Sequence, residues 1–240
     1  MAAAAAEAGE AGAAGEGAAT RRWRAGGKQI IPRPDGWTVG SDPAWLGTQR
    51  RFTVDQIEDA LRAHGPSRRA EVDFADVRAS AVLVALIDGA DGAEVLLTRR
   101  SWYLRNHSGE VSFPGGRMDP GETHAETALR ESFEEVRLDP AAVTVIGELD
   151  HLSTFVSNSY IVPVVARLPS LPDLTASADE VERIFYVSLS ELIRRDTYRQ
   201  ERWGGSNFLR RINFFELDDE TVWGATARIL VSLLDIVWET

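Results

Sequence analysis

Ser112–Val136 reads SFPGGRMDPGETHAETALRESFEEV. It opens with a glycine pair, Gly115 and Gly116, and ends with Glu131, Glu134 and Glu135 crowded together. Thr123 and Glu126 have the spacing of a capping box, in which hydroxyl and carboxylate each take a backbone N–H at a helix start. A helix is therefore predicted to begin at Thr123. At about 100° per residue, Ala125, Ala128, Leu129, Ser132 and Val136 form one stripe that faces a core. Glu131, Glu134 and Glu135 fall within an arc of roughly 100° on the opposite side, so their carboxylates can converge.

The flanking segments supply what such a helix packs on. SAVLVALI (80–87) reads as a buried strand, GADG (89–92) as a turn, and AEVLLTRR (93–100) as the hairpin partner. VTVIGELD (143–150), SYIVPVVARL (159–168) and ERIFYVSL (182–189) read as further strands, with Pro163 at a bulge or edge. TVDQIEDALRAH (53–64) starts with a second capping box, Thr53 and Gln56, and Ser188 with Glu191 suggests a third opening SLSELIRR (188–195). Thr221–Thr240 reads as an amphipathic core helix, interrupted by Arg228 and Asp235. Strands and helices mix without strict alternation. That pattern points to an α/β fold with a mixed sheet and helices on its faces.

The chain has 240 residues, enough for one domain with a full core plus an appendage. Residues 1–27, mostly Ala, Gly and Glu, have little to bury and are expected to form a disordered tail. Residues 28–50, rich in Pro and Trp, form an irregular arm, and the domain proper runs from 51 to 240. The absence of Cys excludes disulfides, thiolate zinc sites and Cys nucleophiles. The four His are scattered along the chain and lack the helical pairing of a zinc protease. No apolar run reaches membrane-spanning length and the start lacks a secretory pattern, so a cytoplasmic protein without membrane contact is expected. A net charge of −11 argues against nucleic acid as a partner. A polyanionic substrate would need cations and a local Arg cluster.

Three clustered glutamates have two explanations. Like charges at helical spacing cost only ~0.2–0.5 kcal/mol per pair, so a solvated acidic face is one. A bound cation is the other. The glycine pair would let backbone carbonyls come close to a ligand, and Arg130 can orient a carboxylate or pin the loop carrying Glu122. Hard divalent ions such as Mg²⁺ prefer oxygen donors and bind substrate phosphates. GGRMDPGET (115–123) lacks the Lys-Ser/Thr of a P-loop, which removes that nucleotide-binding device.

Gly116, five residues, Glu122, seven residues, then RESFEEVRL (130–138) resembles the Nudix box. Two positions depart from its pattern: Ser132 stands where an aliphatic residue or Ala is usual, and Arg137 where Gly normally ends the helix. A left-handed non-Gly residue there costs roughly 1–2 kcal/mol. The resemblance implies a Nudix-type α/β/α sandwich with a mixed β-sheet. It also implies hydrolysis of a pyrophosphate bond with Mg²⁺ (or Mn²⁺) held by Glu131, Glu134 and Glu135, with Gly116 contributing its carbonyl. A homodimer follows by analogy only.

The preceding segment, LLTRRSWYLRNHSGEVSFPGG (96–116), resembles the motif found before the box in coenzyme A pyrophosphatases. Arg100, Ser101, Leu104, Arg105, His107, Gly109 and Glu110 stand where that motif expects them, and likeness extends over residues ~80–235. The implied substrate is a small molecule with a pyrophosphate, coenzyme A or a derivative, bound by Arg100, Arg105, His107, Gly109, Glu110, Gly115 and Gly116. Guanidinium groups suit phosphates because they bind bidentately and stay charged. Arg99 alternates to the other sheet face. His107 serves either a phosphate or the local structure, and Glu110 either the metal or Arg105. The catalytic base is a box glutamate or Glu180, just before the strand ERIFYV. Rival readings are another nucleoside diphosphate derivative (ADP-ribose, NADH, a nucleoside triphosphate) and a nucleotide-binding module without catalysis.

Overall fold

A computed structural model of the chain describes residues 21–71, 78–104, 106–154, 158–204 and 209–240. Its centre is the hairpin read from the sequence. β2 (Arg78–Gly89) and β3 (Gly92–Arg100) pair antiparallel through the Gly89–Gly92 turn. β2 also pairs in parallel with β8 (Ser159–Arg167), and β9 (Val181–Ser188) lies antiparallel to β3. Short strands complete this mixed sheet: β4 (Val111–Ser112) on β3, β5 (Gly115–Arg117) on β2, and β6 (Thr144–Glu148) and β7 (Leu152–Thr154) on β8.

Alternation along β2 assigns the two faces. Ala81, Leu83, Ala85 and Ile87 join Val162 and Val164 under α2 (His124–Val136), which contributes Ala128 and Val136. Val84 and Leu86 join Val95 and Leu97 on the other face. There they meet Ile57 and Leu61 of α1 (Val54–His64), and Leu230 and Leu233 of α4 (Gly224–Trp238). A sheet covered on both faces needs near-continuous apolar strands, which explains the unbroken run Ala81–Ile87. Helices on both sides of a mixed sheet are the expected α/β/α sandwich.

Pro163 does not lie at a sheet edge. It sits inside β8, opposite Val82 of β2, at the break between Ile161, which faces Leu152 of β7, and Val164, which faces Glu148 of β6. A missing N–H is tolerated at that break, and the Pro163 carbonyl still accepts from Leu149 N–H at 3.0 Å.

A second, antiparallel sheet was not anticipated. It orders β1 (Thr38–Val39), β10 (Tyr198–Trp203), β11 (Arg210–Glu216) and β12 (Thr221–Trp223), and packs Tyr198, Phe215 and Val222 against the core shared with α4. The expected helix at 188–195 shrinks to one turn, α3 (Leu189–Leu192), before the chain bends into β10, and α4 starts later than Thr221 because β12 occupies 221–223. β10 carries a buried charge: Arg199 pairs with Glu201 and Glu216, and its guanidinium lies 4.0 Å from the Phe214 ring centre.

Of the tail expected over 1–27, residues 1–20 lie outside the described residues. Residues 21–27 run along the second sheet. Arg24 N–H donates to Asp196 O at 2.9 Å, Gly26 N–H to Leu217 O at 3.0 Å, and the Arg24 guanidinium pairs with Glu191 and Asp218. Residues 21–27 are therefore held against the second sheet before the arm at 28–50, because Arg24 finds acidic partners. No helix among the described residues is long and apolar enough to cross a membrane.

A candidate metal and substrate site between the acidic helix and the glycine strand

α2 starts as its sequence predicts. The Thr123 hydroxyl accepts from Glu126 N–H and the Glu126 carboxylate accepts from Thr123 N–H. Its end is equally well defined. Leu138 is buried, so the chain must turn inward straight after the helix. Arg137 makes that turn in the left-handed region, at φ 59° and ψ 28°, and still donates its N–H to Phe133 O at 3.0 Å. Its guanidinium lies over the Phe133 ring at 5.3 Å. Arg137 thus adopts the geometry that Gly would take more cheaply. Ser132, on the core stripe, is fully buried, and its hydroxyl donates to Ala128 O at 2.7 Å. Its polarity is satisfied within the helix.

The glutamates do not share one exposed face. Glu134 is exposed. Glu131 is half-buried, and Glu135 is only 4% exposed, at the seam between α2 and β5. One Glu135 oxygen accepts the Gly115 N–H at 3.2 Å, and the other lies 3.6 Å from an Arg100 nitrogen. Burial pushes the Glu135 carboxyl up to about 7, against the pull of Gly115 N–H and Arg100 and with the repulsion of Glu180 and Glu131. Glu131 is raised as well, chiefly by burial, and feels Arg130, Glu134 and Glu180. Two carboxylates with raised pKa facing a third are short of positive charge.

Gly115 and Gly116 lie in β5, paired with Val82 and Ala81. A Cβ on Gly116 would lie 2.5 Å from the Glu131 carboxyl carbon, and one on Gly115 2.4 Å from Ala81 O. The glycines let α2 lay its carboxylates directly on the strand.

Arg130 performs both roles open to it. It donates to Glu122 through Nε at 2.7 Å and Nη2 at 3.0 Å, to Arg117 O at 3.1 Å, and through Nη1 to Glu131 at 3.0 Å and Glu134 at 3.3 Å. Glu122 also accepts from the Thr127 hydroxyl and Asp119 N–H, and Arg130 above all draws its carboxyl down to about 2. Glu122 is thereby committed to holding the loop before α2.

The remaining candidates are distributed by strand alternation. Arg100 faces Glu135, whereas Arg99 points to the other side and pairs with buried Glu220 at 2.6 Å and Glu182 at 3.3 Å. Glu180 is exposed, in a turn docked to α2: Ser177 N–H donates to Glu135 O, Glu180 N–H to Ser177 O, and Ser101 N–H to Glu180 O. Sequence reading placed Glu180 before a strand but offered no sign of this docking, which joins residues 42 positions or more apart in the chain.

Arg105 lies outside the described residues. His107, at φ 55°, pairs through Nδ1 with Glu110 at 2.8 Å, and this partner raises its pKa. Glu110 O in turn accepts Arg100 N–H at 2.9 Å. Gly109, at φ 68°, leaves room for Trp102, whose ring would lie 2.1 Å from an added Cβ. His107, Gly109 and Glu110 therefore brace the loop that follows Arg100.

The family model described as NUDIX domain matches residues 77–210. The uncharacterized Nudix hydrolase NudL of Escherichia coli is 38% identical over 190 residues, which cover 77% of this chain and 94% of that one. Nudix hydrolase 3 of Caenorhabditis elegans is 43% identical over 122 residues, 49% of this chain and 50% of its own, so the match spans about half the length of that relative. A solved MutT/nudix family protein from Enterococcus faecalis aligns with a TM-score of 0.49 at 17% identity, over 71% of this chain and 66% of that one.

Proposed function

Because the chain belongs to the Nudix family, we propose that it hydrolyses a pyrophosphate bond with a divalent cation, Mg²⁺ or Mn²⁺, and that its substrate is coenzyme A or a derivative. The observation that carries the hydrolytic reading is the pair Glu131 and Glu135, half-buried and buried, facing Glu180 with raised pKa values. Their donor atoms are all carboxylate oxygens, the set that Mg²⁺ and Mn²⁺ prefer. Glu131 and Glu135 would hold the ion, with Glu134 at the exposed rim and the Gly116 carbonyl beside them. When bound, such an ion neutralises charge on a diphosphate and acidifies water.

The protein's own groups supply the rest. Arg100 faces the same space and would grip a phosphate oxygen. Arg130 keeps Glu131 and Glu134 oriented and anchors the preceding loop. A carboxylate removes the proton from the attacking water, either a box glutamate or Glu180, whose charge is felt by Glu131 and Glu135 and whose turn is docked to α2. In-line attack on one phosphorus of coenzyme A would yield 4′-phosphopantetheine and adenosine 3′,5′-bisphosphate.

The coenzyme A assignment is supported by the motif LLTRRSWYLRNHSGEVSFPGG (96–116) and by Arg100 at the carboxylate cluster. Mass spectrometry of products after incubation with coenzyme A and Mg²⁺ tests it. Both named products are expected. Intact coenzyme A alongside cleavage of ADP-ribose, NADH or a nucleoside triphosphate would move the assignment to that substrate. Nucleotide binding without any cleavage would make the chain a binding module.

A further inference from the structure

Three of the scattered residues meet far from the acidic cluster. His124 is the first residue of α2, Glu148 the last of β6, and His151 precedes β7. One ligand-capable atom from each lies within 4.8 Å of the others. Glu148 is the hub: Oε1 is 3.0 Å from His124 Nδ1, and Oε2 is 3.2 Å from His151 Nε2. Ser67 Oγ closes the group at 3.3 Å from His151 Nε2 and 3.4 Å from Glu148 Oε2.

We propose that His124, Glu148 and His151 form a second cation site, suited to a borderline ion such as Zn²⁺, with Ser67 or water completing the shell. Zn²⁺ binds nitrogen and carboxylate oxygen at about 2.0–2.2 Å in a tetrahedron, whose edges are then about 3.3–3.6 Å. The two imidazoles contact different oxygens of Glu148, at 3.0 and 3.2 Å, and Ser67 lies at 3.3 and 3.4 Å. With one donor atom per residue all within 4.8 Å of each other, an ion draws the ligands together by on the order of an ångström.

Two further features support a ligand. The Tyr160 hydroxyl holds His151 Nδ1 at 2.6 Å, which turns Nε2 toward Glu148 and Ser67. A partner on the second ring nitrogen is the usual way to orient a ligating imidazole. The site is also open on one side: the His151 side chain is 5% exposed, whereas those of His124 and Glu148 are 35% and 32% exposed.

Two imidazoles and a carboxylate differ in kind from the all-oxygen cluster at Glu131 and Glu135, and select different ions. The two sites lie roughly 10–16 Å apart along α2, at 1.5 Å per residue. The second ion would clamp the start of α2 to the β6–β7 corner and the segment after α1. It would set the position of the helix that carries the box glutamates without touching substrate.

The full chain, stripped with a chelator, is titrated with Co²⁺ and then Zn²⁺ in excess Mg²⁺, which fills the acidic cluster. One equivalent of Co²⁺ should give the intense visible bands of a tetrahedral ion, and Zn²⁺ should displace it. Near saturation Zn²⁺ should raise Tm by roughly 5–10 °C. His124→Gln and His151→Gln should each weaken Zn²⁺ binding at least ~100-fold, while Glu135→Gln should leave it unchanged. Histidine ring resonances provide a readout without substitution: those of His124 and His151 should move on adding Zn²⁺, and those of His64 and His107 should not.

Three results would overturn the site. Absence of Co²⁺ and Zn²⁺ binding by the natural sequence would make the group a hydrogen-bonded trio only. Binding lost in Glu135→Gln would place the ion in the acidic cluster. Unmoved His124 and His151 resonances would exclude these ligands even if a substituted chain failed to fold. The first and third results leave the reading of pyrophosphate hydrolysis untouched, and the second only assigns the ion to the cluster that reading already uses.

Discussion

Glu135 accepts the N–H of Gly115 at 3.2 Å, across 20 residues of sequence and from a position almost sealed from solvent. A charged carboxylate is thus pressed against a strand that gives it one hydrogen bond, with Arg100 at 3.6 Å as the facing cation. The chain tolerates this cost where a cation would remove it.

A pH dependence follows. Burial raises the Glu135 carboxyl from 4.5 to about 7 in the folded protein. Below pH ~4.5 both folded and unfolded chains carry the proton and the residue is neutral toward stability. As pH rises to about 7 the unfolded chain ionises first, and stability falls by on the order of 3 kcal/mol. Without divalent ions, Glu135→Gln should melt several degrees above the natural protein at pH 8 and level with it at pH 4. An equal or lower Tm at pH 8 would mean that the carboxylate is already compensated.

Divalent ions should show the reverse pattern. They bind the ionised carboxylates and compete with protons. Mg²⁺ should therefore raise Tm more at pH 8 than at pH 5, and the increment should shrink sharply in Glu135→Gln. In the same variant, turnover on coenzyme A should fall by at least ~10²-fold, because a charged ligand is lost from an electrostatically driven reaction. Turnover near that of the natural sequence would remove Glu135 from the metal site.

The two glycines of β5 should respond differently to alanine. At Gly116 the new Cβ meets the Glu131 carboxyl, the mobile end of a side chain. Gly116→Ala should leave Tm within a few degrees and weaken Mg²⁺ binding about 10-fold, as read by calorimetric titration. At Gly115 the Cβ meets Ala81 O and the φ of 152° is strained for an L-residue. Gly115→Ala should destabilise the fold by about 2 kcal/mol or more, seen as a lower urea midpoint. Matching effects from the two variants would contradict this division.

Arg137→Gly should stabilise the protein. Left-handed backbone at a non-Gly residue costs about 1 kcal/mol, and glycine regains most of it less the Phe133 contact. A Tm increase of roughly 2–4 °C with unchanged turnover is expected, since the helix already ends as glycine would end it. Lost turnover would show that Arg137 takes part in the chemistry.

Much of this site is local and could be read from residue order. Both long capping boxes, the Gly89–Gly92 hairpin and the stripe Ala128–Ser132–Val136 depend on neighbours within a few positions. Spacing alone put Glu131, Glu134 and Glu135 on one helix, and alternation alone separated Arg99 from Arg100. The second sheet was not legible, because RQERW (199–203) and RRINFFE (210–216) mix charge into strands whose buried arginine finds Glu201 and Glu216 only once the sheet forms.

Sequence by itself therefore determined the α/β class, the acidic helix and its caps, since propensity and periodicity act over a turn or two. The tertiary structure decided which glutamate is buried, why two adjacent glycines are needed in β5, and that His124, Glu148 and His151 come together. Those facts depend on burial and on contacts between distant segments. Desolvation and close approach exist only when the folded chain excludes water from between them.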